Sequence, residues 1–318
     1  MTKTKSDLAF TRTSPYGTLS EPTYSGAQSY MRRKYTKDLK DVDVAVVGVP
    51  YDLAVTNRPG TRFGPRAIRQ ASTIMAWDHA WGWKFDPFDR LAVIDHGDCL
   101  FDAGRPEGVP DQITAHFRSI LAEGVATFAL GGDHFITYPI LRAYAEKFGP
   151  IALIHFDAHS DTWRDETGRI DHGTMFFHAA EQGIVVPENS VQIGIRTNND
   201  ETHGFNVLTA DWVRHNGIAA TIDKTLQTVG DRPCYMTFDI DCLDPAFAPG
   251  TGTPVVGGLT SGEAREILRG LAKVDLKGMD LVEVAPTYDV GEITALAGAT
   301  LGLDMLGIFA TRYPDREA

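Results

Sequence analysis

The chain reads as an α/β protein built on a mostly parallel sheet with helices on both faces, and three observations predict it. Short apolar runs alternate with helix-length segments from residue 42 onward, the rhythm that builds parallel sheets. With 318 residues, 43% hydrophobic and 23% charged, the chain can bury a large core. No Pro/Ser linker or abrupt change in composition divides it, so one large domain is expected. Three of the apolar runs are followed directly by acidic clusters, at strand ends, where α/β sheets hold their ligands.

Residues 1–40 carry many Thr, Ser, Lys and Tyr without a clear period and read as an N-terminal arm, loose or docked on a neighbouring subunit. A buried strand is expected over 42–49, stopped by Pro50. The Gly-rich loop 58–64 matches neither the lysine-terminated P-loop nor G-x-G-x-x-G, and leads into a helix opening at Pro65. A strand at 91–95, a helix around 111–123, a strand ending at Leu130 and a helix over 137–148 follow. After a strand at 151–156, a long loop reaches Asp171-His172-Gly173-Thr174, then a helix and a strand over 190–195. A helix over 218–229 leads to a strand at 234–238, and Thr260-Ser261-Gly262-Glu263 forms a capping box for a helix running to Leu271. Residues 281–284 read as a strand ending in an acid. The last helix spans roughly 293–311, with Leu296, Thr300, Leu303 and Leu306 among its inward candidates.

The formal net charge of −12 argues against a nucleic-acid or anionic-membrane partner and favours cationic substrates. With no 18-residue apolar run and no signal-peptide pattern, the cytoplasm is the default location. Cys99, Cys234 and Cys242 lack zinc-site spacing and read as buried, reduced thiols, Cys242 facing away from its neighbour Asp241.

The chemistry lies in three clusters, Gly131-Gly132-Asp133-His134, Asp157-Ala158-His159-Ser160-Asp161 and Asp239-Ile240-Asp241. Side chains at every second residue of an extended segment point one way, so Asp157, His159 and Asp161 can face a common centre. Four carboxylates (Asp157, Asp161, Asp239, Asp241) and two imidazoles (His134, His159) exceed what one zinc ion needs. They match two divalent cations, whose four positive charges they cancel. Asp157 and Asp239, bridging, would hold the ions roughly 3.5 Å apart. An oxygen-rich shell without thiolate favours Mn²⁺ and leaves Co²⁺, Ni²⁺ and Fe²⁺ open. Such a pair supplies hydroxide at neutral pH as the nucleophile. His155 reads as a histidine of the core or behind the metals; Asp98, Asp133 and Asp244 read as turn residues or as hydrogen-bond partners behind the metals.

The runs Gly131 to His134, Asp157 to Asp161, Asp171 to Phe176, Thr237 to Pro254 and Val282 to Pro286 resemble the ureohydrolases, the arginase/agmatinase family, over roughly 42–306. The resemblance implies a three-layer α/β/α fold with an eight-stranded parallel sheet over 41–318, a dimanganese centre, and homotrimers or homohexamers. It implies hydrolysis of a small cationic guanidino compound to an amine and urea. The likeness is greatest to members that take agmatine to putrescine and urea. Carried across by position, one ion takes His134, Asp157, Asp161 and Asp239, and the other Asp157, His159, Asp239 and Asp241. His172 becomes the proton shuttle, with Asp161 as a second proton route, and Glu283 the partner of the guanidinium. Rivals are a guanidinobutyrase, a guanidinopropionase, an arginase or another amidinohydrolase, and, further off, a dinuclear phosphoesterase or a noncatalytic relative. Substrate-tail contacts are expected from loops 162–171 and 197–206, with Arg164 the residue that could receive a carboxylate tail.

Overall fold

The computed structural model describes residues 22–76 and 81–315. Nine strands, β1 (Lys34–Tyr35), β2 (Val44–Val49), β3 (Val93–Asp98), β4 (Ala126–Gly131), β5 (Ala152–Phe156), β6 (Val191–Ile195), β7 (Asn206–Thr209), β8 (Pro233–Asp239) and β9 (Asp275–Val282), form one sheet in the order β1-β3-β2-β4-β9-β8-β5-β6-β7. Every neighbouring pair is parallel. The helices are α1 (Gly64–Ser72), α2 (Pro87–Arg90), α3 (Val109–Ala122), α4 (Thr137–Phe148), α5 (Met175–Glu181), α6 (Ala210–Val229), α7 (Ser261–Gly270) and α8 (Ile293–Ala310).

Alternate residues of the central strands feed two cores. Val44, Val46, Phe128 and Ile154 pack on one face with side chains of α1, α6, α7 and α8. Ala45, Val47, Ala129 and Leu153 pack on the other with those of α3, α4 and α5. Burial on both faces explains why these strands read as continuous apolar runs, and the three-layer architecture matches the expectation.

Differences from the expected elements have local causes. The sheet has nine strands, not eight. The edge strand β1 is two residues long and lies in a polar segment with no apolar run to announce it; Lys34 pairs with Ile94 and Tyr35 with Asp95. Just before it, Tyr30 is buried, its amide donating to Asp95 Oδ2 at 2.8 Å. Residues 1–21 of the expected arm lie outside the described residues.

Helix α6 begins at Ala210, capped by the Thr209 side chain, well before 218; Gly217, at φ 84°, interrupts it, so the apolar period is continuous only beyond that point. In α8, Leu303 and Leu306 are buried as expected, but Leu296 is 39% exposed and Thr300 is only half-buried. This helix is apolar on nearly every side, so no stripe marks one inward face. It is long and apolar enough to cross a membrane by length and composition alone, yet 78% of it is buried in the core.

Candidate active site

The central strands β4, β9, β8 and β5 end at one place, and their exits build the site. The two glycines after β4 are required by space. A Cβ on Gly132 would sit 2.2 Å from the Tyr51 carbonyl oxygen, and one on Gly131 would sit 2.6 Å from Val282. Only glycine lets this backbone pass between its neighbours and deliver His134. Asp133 turns away and accepts the Ala54 amide at 2.9 Å.

His134 Nδ1 is buried without a hydrogen-bond partner. It faces Asp161 Oδ2 at 2.9 Å, Asp157 Oδ2 at 3.0 Å and Asp239 Oδ2 at 3.3 Å. Its Nε2 lies 2.8 Å from the Thr237 hydroxyl, which donates to Asp280 Oδ1 at 2.5 Å. With its proton spent on Asp280, Thr237 can only accept from Nε2. That tautomer leaves an Nδ1 lone pair aimed at three carboxylates, the orientation of a metal-ligating imidazole.

The second half is built likewise. His159 Nδ1 lies 3.1 Å from Asp241 Oδ2 and 3.3 Å from Asp157 Oδ1. Potential donor atoms of His134, His155, Asp157 and Asp161 lie within 4.8 Å of one another, as do those of Asp157, His159 and Asp241, so Asp157 is common to both groups. Asp239 joins through its contact with His134, and its Oδ1 accepts the Asp241 amide at 2.8 Å. All six expected ligands therefore meet. Asp161 reaches the cluster from a left-handed backbone at φ 52°, a conformation that costs about 1–3 kcal/mol in a non-glycine residue.

Among the described residues no arginine or lysine pairs with these four aspartates. Burial, Asp241 and Asp157 hold the Asp239 carboxyl well above the usual range. His159, against the opposing effect of burial, is pushed up to about 12 by Asp241 and Asp157. With no arginine or lysine among them, these carboxylates must be balanced in a dry site by protons or by cations, and His134 Nδ1 points into the same place. The donor set, oxygens with two imidazoles and no thiolate, fits divalent cations of the Mn²⁺ type.

Glu283 is fully buried just beyond β9, at φ 63°. Its Oε1 accepts from the His134 amide and from His172 Nδ1, both at 2.9 Å, while Oε2 has no partner among the described residues. Burial opposes a proton on His172, but Glu283 outweighs it and pushes the imidazole up to about 9. The Thr56 amide, however, donates to His172 Nε2 at 3.0 Å, with the Thr56 hydroxyl 2.8 Å away. An amide cannot donate to a protonated nitrogen, so this arrangement holds neutral His172 with its proton on Nδ1. Proton uptake at Nε2 requires Thr56 to give way.

A cavity of about 390 Å³ opens over the cluster, lined by His159, Asp161, His172 and Asp239 at its base and by Trp163, Arg169, Asp171 and Thr253 further out. Loop 162–171 supplies much of the wall, as expected. Loop 197–206 contributes none of the lining; its Asn199 instead turns inward and donates to Ser160 Oγ at 2.8 Å and Thr162 Oγ1 at 3.0 Å. Arg164 is also outside the lining, 3.6 Å from Glu166. The cation on the wall is Arg169, bound to Asp171 at 2.6 Å. Sequence reasoning missed Thr56, Thr253 and Arg169, whose loops carry no periodic signal. Asp98 binds Arg69 and Asp244 caps a turn through the Ala246, Gly257 and Gly258 amides. Cys242 points away from the centre toward the Ile193 carbonyl.

The fold and this cluster define a class that comparison with known proteins identifies: residues 42–307 match the Arginase family. The chain is 54% identical over 302 residues to the agmatinase of Chromobacterium violaceum, covering 94% of each. It superposes on a hypothetical agmatinase from Burkholderia thailandensis with a TM-score of 0.95 at 55% identity, covering 96% of this chain and 98% of that one. Proclavaminate amidino hydrolase from Streptomyces clavuligerus matches with a TM-score of 0.86 at 39% identity, covering 91% of this chain and 99% of that one. The chain belongs to the arginase family, and is a ureohydrolase, an enzyme acting on C–N bonds.

Proposed function

We propose that this enzyme hydrolyses agmatine to putrescine and urea, with two Mn²⁺ ions held by His134, Asp157, Asp161 and Asp239 on one side and Asp157, His159, Asp239 and Asp241 on the other. The observation that carries the substrate class is the unpartnered, buried Oε2 of Glu283. A carboxylate oxygen left so is costly unless a donor arrives, and a guanidinium, which stays protonated, offers N–H groups in a fixed fork. When bound, the ions supply a water-derived nucleophile by lowering the pKa of water toward roughly 7.

The rest falls to the chain. Oε1 of Glu283, pinned by the His134 amide and His172, stops the carboxylate rotating and fixes where Oε2 meets the guanidinium. His172, held neutral by Thr56 yet with a proton affinity raised by Glu283, is suited to take up a proton at Nε2 and pass it to the departing amine. Asp161, whose carboxyl is raised by burial and by Asp157, is the second proton route. Arg169, the arginine on the cavity wall, is already matched by Asp171. A carboxylate tail would find no free cation there, whereas the ammonium tail of agmatine needs none.

We read residues 41–318 as the catalytic domain of a homotrimer or homohexamer acting in the cytoplasm, with the end of the 1–40 arm, Tyr30 and β1, docked on the same sheet. Light scattering on the purified protein tests the assembly. Urea release from agmatine, arginine, 3-guanidinopropionate and 4-guanidinobutyrate, compared as kcat/KM at one pH with saturating Mn²⁺, tests the substrate. Agmatine should lead by tenfold or more. A carboxylated substrate leading by that margin would mean that Arg169 leaves Asp171 to receive it. No urea from any of them, with hydrolysis of a phosphate ester instead, would favour the phosphoesterase.

A further inference from the structure

Directly beneath the candidate metal centre, one row of polar side chains crosses four strands of an otherwise apolar sheet. Strand register pairs Gln192 with His155, His155 with Thr237, and Thr237 with Asp280. All four residues are fully buried. Buried polar groups are as a rule partnered; in this row only Gln192 Oε1 has no partner among the described residues, and each half of the row reaches a different side chain proposed to hold metal. Asp280 and Thr237 orient His134, as described above. Gln192 and His155 reach Asp157.

Gln192 Nε2 lies 2.6 Å from the Ser160 carbonyl oxygen and 3.1 Å from His155 Nδ1. The amide orientation is forced, because the reverse would set the Gln192 oxygen against the Ser160 carbonyl. One Gln192 hydrogen goes to Ser160 and the other to His155, so His155 Nδ1 is an acceptor. The ring proton is then on Nε2, 2.8 Å from Asp157 Oδ2. His155 is therefore a donor to Asp157 and, although close to the cluster, has no lone pair to offer a cation. The ring is fixed in the core by Phe176 and His134, at centroid distances of 4.7 and 5.1 Å.

Asp157 needs such a constraint. Its Oδ2 faces His134 and its Oδ1 faces His159 and accepts the His159 amide at 2.6 Å. A carboxylate that serves two centres must keep each oxygen on its own side. From this geometry we infer that His155, set in one tautomer by Gln192, is a positioning residue that locks the bridging carboxylate Asp157, and that the Gln192–His155 pair tunes the binding of divalent cations. The inference rests on the two-metal reading of the site.

Three variants test it in the full-length protein. His155→Phe keeps the ring packing and removes the donor; His155→Gln restores an N–H at similar reach; Gln192→Leu leaves the ring without its tautomer lock. The readouts are Mn²⁺ stoichiometry and affinity by equilibrium dialysis, the visible absorption of the Co²⁺-loaded protein, and the melting temperature after chelation. His155→Phe should weaken Mn²⁺ binding about 10–100-fold, the usual cost of losing a partner behind a metal ligand. It should also shift the Co²⁺ spectrum while the chelated protein melts normally. His155→Gln should recover affinity to within about threefold of wild type, and Gln192→Leu should fall between. Unchanged affinity and spectrum in His155→Phe, or a His155→Gln no better than His155→Phe, overturns the inference. If His155→Phe does not fold, Gln192→Leu decides, and wild-type affinity there overturns it. Wild-type protein that binds no Mn²⁺ would instead defeat the two-metal reading itself.

Discussion

Two acidic clusters sit at the carboxyl end of the same sheet, and they are solved in opposite ways. Next to the edge strand, Asp95 and Asp98 of β3 surround Arg69 of α1, with contacts of 2.8 and 3.0 Å to Asp95 and 2.6 Å to Asp98. The same two oxygens of Asp95 also accept the Tyr30 and Gly97 amides. At the centre, Asp157, Asp161, Asp239 and Asp241 meet three histidines, His134, His155 and His159, and no arginine or lysine among the described residues. The edge cluster carries its own cation and is complete, whereas the central one is complete only with cations from outside. Acid residues after a strand are thus no sufficient sign of a metal site. What separates the two is whether the chain supplies the counter-charge.

The largest effects should come from removing one carboxylate from each cluster. Asp239→Asn should reduce urea release to background and empty the metal sites, yet raise the melting temperature of the chelated protein, because it relieves repulsion among buried carboxylates. Asp95→Asn should do the reverse. It leaves a buried guanidinium with Asp98 as its one remaining carboxylate and should cost up to about 3–5 kcal/mol of stability, with the metal content of the protein that does fold unchanged. Melting curves of chelated protein check both, and equal destabilisation by the two substitutions would erase the distinction.

His172→Ala should lower kcat by on the order of 10²–10⁴, the range for a positioned acid–base group, while two Mn²⁺ still bind. His172 touches Glu283 and Thr56 rather than the ligand atoms, so loss of metal in this variant would show the pair to be part of the centre's scaffold instead.

Chelation should destabilise the wild-type protein by about 2.7 kcal/mol for each site, relative to Mn²⁺ at a hundred times that site's dissociation constant. Since the edge cluster takes no part, Arg69→Met should lower both melting temperatures and leave the difference between them intact. A difference that shrinks would mean the clusters communicate.

The contrast also explains how much of the fold and the site is legible in the sequence. The six residues proposed to hold metal were legible because each follows an apolar strand within a few residues, so local spacing alone places them at strand ends. Glu283 and His172 were legible only through family resemblance, since their contact joins residues 111 positions apart. Arg69 could not be assigned to Asp95 from a helix pattern, nor Gln192 to His155, because strand order and register decide those pairs. Thr56, Thr253 and Arg169 lie in loops whose path is set by the packing beneath them. Edge strands β1 and β7 are short and half-polar, so no run announced them.

The smallest expected effect is a response to acid. His96, beside the edge cluster, is drawn down to about 4 from 6.5 by burial, by Lys37 and by His116, against the opposing pull of Asp95. Lys37 donates to the His96 carbonyl, and the His96 and His116 rings stand 5.5 Å apart. Because the folded state binds this proton less readily than the unfolded chain, the stability it contributes is fully present above about pH 6.5. That stability is lost as pH falls toward 4. Partial solvent screening limits the loss to about 1–2 kcal/mol. The central cluster has the other sign when no metal is bound: Asp239, raised by burial and by Asp241 and Asp157, binds protons more readily when folded, so it adds stability as pH falls through its raised range. The two contributions oppose each other in chelated protein and must be separated by substitution. His96→Gln should flatten the loss of stability between pH 6.5 and 4 whether or not Mn²⁺ is present, because the ring lies at the edge. Denaturant unfolding at pH 7 and pH 5 reads the difference, and a substitution whose effect depends on Mn²⁺ would place His96 within reach of the central site after all.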